Sequence, residues 1–225
     1  MNRSLQCAFG MAALLVSSSA GAQTFGNKGQ LAISAERLFG FYHDSATVSV
    51  NNTDTTIKSD SFSLLTSPIA LQGAGTWSYG SPRVAGDYFV IDHLSVGAAL
   101  GYSHISVSVP GFGGTTTTAS GDSFLFAPRA GWAYMFSDIV GIWPRAGFTY
   151  RTLSAGDNSG HDFALTAEVP FIFTVIPHVG FWAGPTLDLG ISGSQSTKTG
   201  PLTQSVDFNA TEIGLQTGMT VYFDL

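Results

Sequence analysis

The stretch "SFLFAPRAGWAYMF" (Ser123–Phe136) sets an arginine and a proline among aromatic residues, alanines and glycine. Its even positions carry Phe, Phe, Pro, Ala, Trp, Tyr and Phe, whereas its odd positions carry mostly small residues and Arg129. A repeat of two residues is typical of a β-strand. The stretch therefore predicts a strand with one bulky, mostly aromatic face and one face of small residues that holds a guanidinium.

The same division recurs in the stretches that begin near residues 94, 140, 162 and 179. In each of them the second face consists mainly of Gly, Ala, Ser and Thr with single charges, which would make a poor solvated surface. A transmembrane β-barrel has the inverse arrangement, with bulky residues towards lipid and small or charged residues in the lumen. We therefore predict an antiparallel up-and-down barrel whose outer face carries Phe124, Trp132, Tyr134, Phe148, Phe163, Phe171 and Phe181.

The composition agrees with a membrane environment. Charged residues make up 11% of the 225-residue chain and hydrophobic residues 44%, so there are too few charges to coat a soluble surface of this size. The net charge of −6, with Lys and Arg scattered along the chain, argues against a nucleic-acid partner.

The N-terminus predicts export. Arg3 precedes the apolar stretch Met11–Val16, and small residues follow in "SSSAGAQ", with cleavage expected after Ala22. We therefore assign residues 1–22 to a signal peptide and residues 23–225 to one barrel domain. The single cysteine, Cys7, lies in the signal peptide, so the mature chain is expected to have no thiol, disulfide or cysteine metal site.

Strand starts near residues 30, 83, 94, 123, 140, 162, 179 and 207 give a count of eight. The alternative is ten strands, because "SFSLLTSPIAL" within residues 41–82 could belong to a further hairpin. Short turns at residues 91–93, 137–139 and 176–178 alternate with long polar segments such as "SGSQSTKTGPLTQS", which we expect to be external loops. This asymmetry predicts short turns in the periplasm and long connections outside.

At the C-terminus, "TEIGLQTGMTVYFDL" (Thr211–Leu225) alternates apolar residues with Glu212, Gln216 and Thr220. Together with the signal peptide and the alternating strands, it resembles the small bacterial outer-membrane β-barrels of the OmpA transmembrane-domain and OmpX type. The resemblance implies an outer-membrane location, contact with outer-membrane lipid and recognition of the last strand by the barrel assembly machinery. It implies no catalytic residue. The chain ends on Leu225, where these proteins usually have phenylalanine.

The alternation also places charged residues on the inner face, where acids and bases nearly balance as a buried network requires. These are Glu36, Arg83, Asp87, Arg129, Arg145, Arg151, Glu168, Asp188 and Glu212. We expect Arg83, Arg129 and Arg145 to point into the lumen, with at least two of them within ion-pair reach of Glu36, Glu168, Asp188 or Glu212. An eight-stranded barrel is just wide enough for side chains to fill, so this network predicts a packed lumen. The alternative is a narrow channel for small solutes.

The register of the hairpin around residues 137–139 follows from these charges. One register that keeps outer residues opposite outer residues sets Arg129 opposite Arg145, which like charges disfavour. The other sets Arg129 opposite Gly147 and Arg145 opposite Gly131, so each guanidinium has a glycine across from it. We predict the second register, with a possible bulge at Pro128 or Pro144.

Histidines near the outer rim raise an enzymatic alternative, in which His161 would act as a general base near Asp162 and His43 for hydrolysis of lipid or peptide. A metal site formed by His43, His104 and His161 is a weaker alternative, because nothing fixes their spacing. His93 and His178 are expected in periplasmic turns. The sequence favours a non-enzymatic barrel without cofactor, which has a structural or surface-interaction role through its external loops.

Overall fold

The computed structural model describes residues 24–50, 53–65, 78–110, 116–200 and 202–225. These residues form an all-β structure. Its strands are β1 (Gln30–Val50), β2 (Thr53–Leu64), β3 (Arg83–Ile91), β4 (Leu94–Pro110), β5 (Thr116–Trp132), β6 (Tyr134–Met135), β7 (Val140–Ile142), β8 (Arg145–Ala155), β9 (Asn158–Glu168), β10 (Phe171–Ile176), β11 (Val179–Thr199) and β12 (Leu202–Asp224). No helix in the described ranges has the length and apolar character needed to cross a membrane.

The sheet closes on itself, because β12 pairs antiparallel with both β11 and β1. The closed barrel has eight strands, as predicted, since short interruptions divide single barrel strands into β5 and β6, β7 and β8, and β9 and β10. The predicted signal peptide (residues 1–22) lies outside the described residues.

The second barrel strand is also divided. β3 pairs with β1 from Leu31 to Glu36, and β2 pairs with β1 from Phe39 to Val50. The segment that the ten-strand alternative assigned to a further hairpin supplies one strand, β2, which continues the line of β3 beside β1 in the closed eight-stranded barrel. "SFSLL" lies at the end of β2, whereas residues 66–71 of that stretch lie outside the described residues.

The two ends of the barrel differ. The short-turn end carries the turns at residues 92–93, 136–139 and 177–178, together with residues 24–29 and Leu225. The long-hairpin end carries the hairpins β1–β2, β4–β5, β8–β9 and β11–β12. His93 and His178 lie in short turns with φ of 72° and 64°, as expected for turn residues.

The polar connections predicted to be loops are mostly paired strands, so that expectation was wrong. β11 and β12 remain paired up to Thr199 and Leu202, and β8 and β9 up to Ala155 and Asn158. Thr and Ser are well suited to paired antiparallel strands, and the side chains of Ser196 on β11 and Ser205 on β12 hydrogen-bond to each other at 2.6 Å. Gly156 and Gly200, both with positive φ, allow the tight turns that join these strands.

The predicted outer face is confirmed. Six of its seven aromatic residues are exposed, and the seventh, Phe163, is half-buried because its ring stacks on Phe148 at 5.3 Å. Since these side chains face away from the lumen, they form an apolar belt suited to lipid.

The predicted hairpin register is also confirmed. Arg129 lies opposite Gly147 and Arg145 lies opposite Gly131. No bulge occurs at Pro128, because the same register holds on both sides of it. Pro144 instead interrupts the ladder between β7 and β8, while its carbonyl still accepts a hydrogen bond from the Trp132 N–H at 2.8 Å.

Candidate functional site

Glu36 is the centre of an ion-pair network that crosses the lumen from wall to wall. Its carboxylate accepts hydrogen bonds from Arg83 Nε at 3.0 Å, from two nitrogens of Arg129 at 2.7 Å each and from Arg145 at 2.7 Å. The Glu36 residue is completely buried. Three guanidiniums therefore compensate one buried carboxylate, and each guanidinium comes from a different strand.

Glu168 and Asp87 complete the charge around these arginines. Glu168 pairs with Arg145 at 2.8 Å and makes a short contact with Arg83, while Asp87 accepts hydrogen bonds from Arg129. The guanidinium of Arg145 also lies over the rings of Trp143 and Trp182, at 4.6 and 4.9 Å from their centroids. Charge pairing and aromatic contact together fix the position of this side chain.

Arg37 is a second centre, which the sequence pattern did not identify. It pairs with Asp188 at 2.8 Å, with Glu212 at 3.3 Å and with Glu168 at 3.4 Å. Alternation would point Arg37 to lipid, opposite to Glu36, but β1 contains a bulge at this point. Between Ala35 and Phe39 the chain of β1 advances four residues while β12 advances two, and the φ of Arg37 is 54°.

The signal for this bulge was present in the sequence. Glu36 and Arg37 are consecutive charges within the mostly apolar first half of β1, and both can face the lumen only if the strand departs from regular alternation. An arginine on the lipid face would cost about 2–4 kcal/mol near the middle of the bilayer.

A short segment, Ser78–Tyr79, lies inside the lumen on the long-hairpin side of the network. The Ser78 hydroxyl and the Tyr79 N–H each donate to Glu212 at 2.7 Å, and the Tyr79 carbonyl accepts from Arg37 at 2.6 Å. The guanidinium of Arg151 lies 4.4 Å from the centroid of the completely buried Tyr79 ring. The segment thus uses its backbone and its ring to fill the lumen.

Aromatic side chains close the lumen at the short-turn end. Phe25, from the segment that precedes β1, makes edge-to-face contacts with Phe89, Trp143 and Tyr222 at centroid distances of 5.1–5.2 Å. All four rings are buried. Hydrogen bonds from the N–H groups of Gly26 and Asn27 to the Gln30 side chain hold this segment in place.

All nine charged residues predicted on the inner face have side chains enclosed within the barrel, and ion pairs or hydrogen bonds join them in the arrangement above. Arg151 pairs with Asp162 through two hydrogen bonds of 3.0 and 2.8 Å. Beside Arg83, Arg129, Arg145 and Glu168 there is a cavity of about 10 Å³, room for about one water molecule. The site is therefore packed, and its charges are engaged with one another.

The catalytic arrangement suggested for His161 is not formed. Asp162 is buried and paired with Arg151, whereas His161 is exposed on the opposite face of the same strand. The side chain of His43 instead pairs with Asp60 at 2.7 Å. Adjacent residues of a strand point to opposite faces, so His161 and Asp162 cannot act together.

The metal site suggested for His43, His104 and His161 is not assembled either. The His104 ring lies 2.8 Å from Asp122, on different strands from the other two histidines. Across the ranges that the structure describes, no three His, Cys, Asp or Glu side chains are grouped as metal ligands.

Comparison with solved structures identifies this fold among outer-membrane proteins. The chain is similar to the outer membrane protein OprG from Pseudomonas aeruginosa, with a TM-score of 0.56 and 12% identity over 90% of this chain and 100% of that one. It is also similar to the outer membrane protein AlkL, whose structure was determined in DMPC lipid bilayers, with a TM-score of 0.53 and 14% identity over 93% and 95% of the two chains. No protein-family model matches the chain, and no curated protein matches it.

At these identities the similarity establishes the fold. The chain is an eight-stranded β-barrel of the bacterial outer-membrane type. Its exposed apolar belt, together with this fold, places it in the outer membrane, in contact with lipid.

Proposed function

We propose that this protein is a closed, non-enzymatic outer-membrane barrel that presents its long hairpins to the exterior and does not conduct solutes. The supporting observation is the filled lumen, in which ion pairs extend from Glu36 and Arg37 on β1 across to side chains of β3, β5, β8 and β11. Phe25 blocks the short-turn end and Tyr79 the long-hairpin end. An eight-stranded barrel has room for little beyond such a filling.

The orientation belongs to the same proposal. Short turns at one end and long connections at the other are typical of barrels whose short turns face the periplasm. The hairpins β4–β5 and β11–β12, which extend to residues 110 and 199, would then be the parts of the molecule that partners outside the cell can reach. The C-terminal strand β12 would carry the signal for the assembly machinery.

Conductance in planar bilayers tests the closed lumen. We expect the purified protein to give no unitary current steps under conditions in which an open porin gives them. Regular steps from the native chain would contradict the proposal and favour the narrow channel.

Two variants distinguish a packed lumen from one that Ser78–Tyr79 merely gates. Phe25→Ala and Tyr79→Ala each remove one end of the filling and leave the central ion pairs in place. Because those pairs alone close the cross-section, both variants should remain non-conducting. A Tyr79→Ala variant that conducts would show that the segment is a gate.

A further inference from the structure

A cavity of about 420 Å³ lies on the outside of the barrel wall, towards the long-hairpin end. Most of its lining consists of hydroxyl, carboxylate, amide and imidazole side chains. Five of these residues form a row of directly opposed partners across β2, β1, β12, β11 and β9: Asp54, Ser49, Asp207, Ser194 and His161. Neighbouring strands lie about 4.8 Å apart, so the row is about 19 Å long.

This row faces away from the lumen. Phe208 and Asp162 are buried inside the barrel, whereas their chain neighbours Asp207 and His161 are exposed. Since successive side chains of a strand point to opposite faces, Asp207 and His161 belong to the outer face. The row therefore lies on the outer face, while the buried Gly193 and Phe208 border the cavity from within the wall.

A bulge in β11 shapes the cavity. Between Gly190 and Ser192 the chain of β11 advances two residues while β9 advances one. The Asn209 side-chain amide, oriented to donate, lies 3.1 Å from the carbonyls of both Ile191 and Phe208. Because a bulge bends its strand, the sheet is concave here rather than following the curve of the barrel.

Some polar side chains of this cavity have partners within the protein, since Ser49 donates to Asp54 at 2.7 Å and Thr47 bonds Thr56 at 3.0 Å, but three others are available to a ligand. Elsewhere on the outer face, His43 is engaged by Asp60 and His104 by Asp122. By contrast, no hydrogen bond or ion pair within the described ranges engages the side chains of His161, Ser194 or Asp207. Donors and acceptors without internal partners converge on one concave surface, as in a binding site.

The chemistry of the lining selects a neutral, hydroxyl-rich ligand. Among the residues that the structure describes, no Lys or Arg lines the cavity, and the carboxylates of Asp54 and Asp207 would repel a phosphate. These two residues flank Ser49 on either side, so their backbones are about 10 Å apart, too far to form a compact cation cage. Sugar hydroxyls can donate to both carboxylates and accept from serine and histidine.

The height of the cavity on the barrel indicates the source of such a ligand. On β9 it begins at His161, one step beyond the lipid-facing Phe163, and on β11 it begins at the exposed Ile191. This is where the apolar belt ends and the polar layer of the outer leaflet begins. We propose that the cavity binds the saccharide headgroup of an outer-leaflet glycolipid.

The inference goes beyond the closed-barrel proposal and depends only on its orientation, so conductance and lipid binding can fail separately. Its test uses the full barrel in nanodiscs of phosphatidylethanolamine doped with glucosyl diacylglycerol, with retained lipid counted by native mass spectrometry. Asp207→Ala removes a cavity carboxylate. Asp60→Ala, an exposed carboxylate outside the cavity lining, is the matched control.

We expect the native chain and Asp60→Ala to retain the glycolipid alike and Asp207→Ala to bind it about tenfold more weakly, as expected for the loss of a charged hydrogen bond. Free maltose in excess should displace the glycolipid, because the sugar is the recognised part. Equal retention by both variants, or stronger retention of phosphatidylglycerol, would overturn the proposal. Binding of maltose without retention of the glycolipid would refute the membrane source.

Discussion

Arg37 adopts a left-handed backbone conformation, which non-glycine residues rarely occupy and which costs about 1–3 kcal/mol. The ion pairs of Arg37 with Asp188, Glu212 and Glu168 offset that cost, because without Arg37 each of these buried carboxylates would have fewer cations beside it. The residue therefore stabilises the barrel only as part of the group. Its removal should be far more damaging than the loss of an exposed cation.

We expect Arg37→Ala to lower the free energy of unfolding by about 3–5 kcal/mol, since it leaves buried carboxylates without their partner. The measurement is thermal or urea unfolding in detergent, followed by the heat-dependent shift of the folded barrel in gels. Lys58→Ala, which removes an exposed cation of β2, should change stability by less than about 0.5 kcal/mol. Equal stability of the two variants would contradict the role assigned to Arg37.

Asp122 lies beyond the apolar belt on the exposed face of β5. Its carboxylate accepts hydrogen bonds from the Tyr102 hydroxyl at 2.7 Å and from the His104 ring at 2.8 Å. Both hydrogen bonds lower the pKa of Asp122, and the bond from Tyr102 has the larger effect. A depressed carboxyl pKa in the folded state stabilises the fold above the unfolded pKa of about 3.9, and the effect is lost as the pH falls through the folded pKa.

Tyr102→Phe should therefore move the pKa of Asp122 upward towards its ordinary value. The carboxyl carbon shift of Asp122, followed by NMR titration between acidic and neutral pH, measures this change. Tyr88→Phe, at another exposed tyrosine, serves as the control and should leave the Asp122 titration in place. An identical titration in native and Tyr102→Phe chains would show that the hydroxyl has no influence.

At the scale of the strands, close approach explains why a glycine, Gly131, lies opposite Arg145 in the β5–β8 pair. A Cβ atom added to Gly131 would lie 2.7 Å from Trp143 Nε1 and 2.9 Å from Ser95 Oγ. The side chains of two neighbouring strands occupy the space that this glycine leaves. By contrast, a Cβ on Gly86 would meet nothing within 4 Å.

Gly131→Ala should therefore destabilise the barrel by about 1–3 kcal/mol through overpacking, whereas Gly86→Ala should change stability by less than about 0.5 kcal/mol. Urea unfolding of the two single variants in the same detergent gives both values. If Gly86→Ala were the more damaging of the two, packing inside the lumen would not be the cause.

Strand alternation predicted these elements well because lipid demands one kind of residue on one face over every strand. It failed in two places. The ends of the long hairpins read as loops because Ser, Thr and Gly are common to loops and to solvated strands, and composition alone does not distinguish them. The bulge at Arg37 was missed because alternation assumes an unbroken strand.

At the scale of the whole molecule, strand number and the inward charges followed from sequence, whereas the filling of the lumen did not. Ser78–Tyr79 comes from a stretch of sequence with no strand pattern. The Ser78 hydroxyl and the Tyr79 N–H donate to Glu212, which lies 134 and 133 residues further along the chain. Phe25 likewise acts from outside the strands. The alternation of residues within a strand does not predict contacts between residues so far apart in the sequence.

The last strand provides a test of assembly that is separate from stability. Leu225 is exposed, and its N–H donates to the Gly29 carbonyl at 3.1 Å. If the assembly machinery recognises this strand, Leu225→Phe should increase the folded fraction recovered from cells while unfolding in detergent stays the same. Leu202→Phe, at an exposed leucine at the other end of β12, is the control. An equal increase of the folded fraction in both variants would show that recognition of the terminal residue is not the cause.

The ion pairs across the lumen also select the circumference of the barrel. Arg37 on β1 reaches Asp188 on β11, and Glu36 on β1 reaches Arg145 on β8, so these contacts measure the width of the lumen in two directions. A ring with two more strands would be wider, and its opposing charges would separate and stay buried without partners. A narrower ring would have no room for them. The charge network therefore destabilises a barrel with more or fewer strands relative to the barrel with eight.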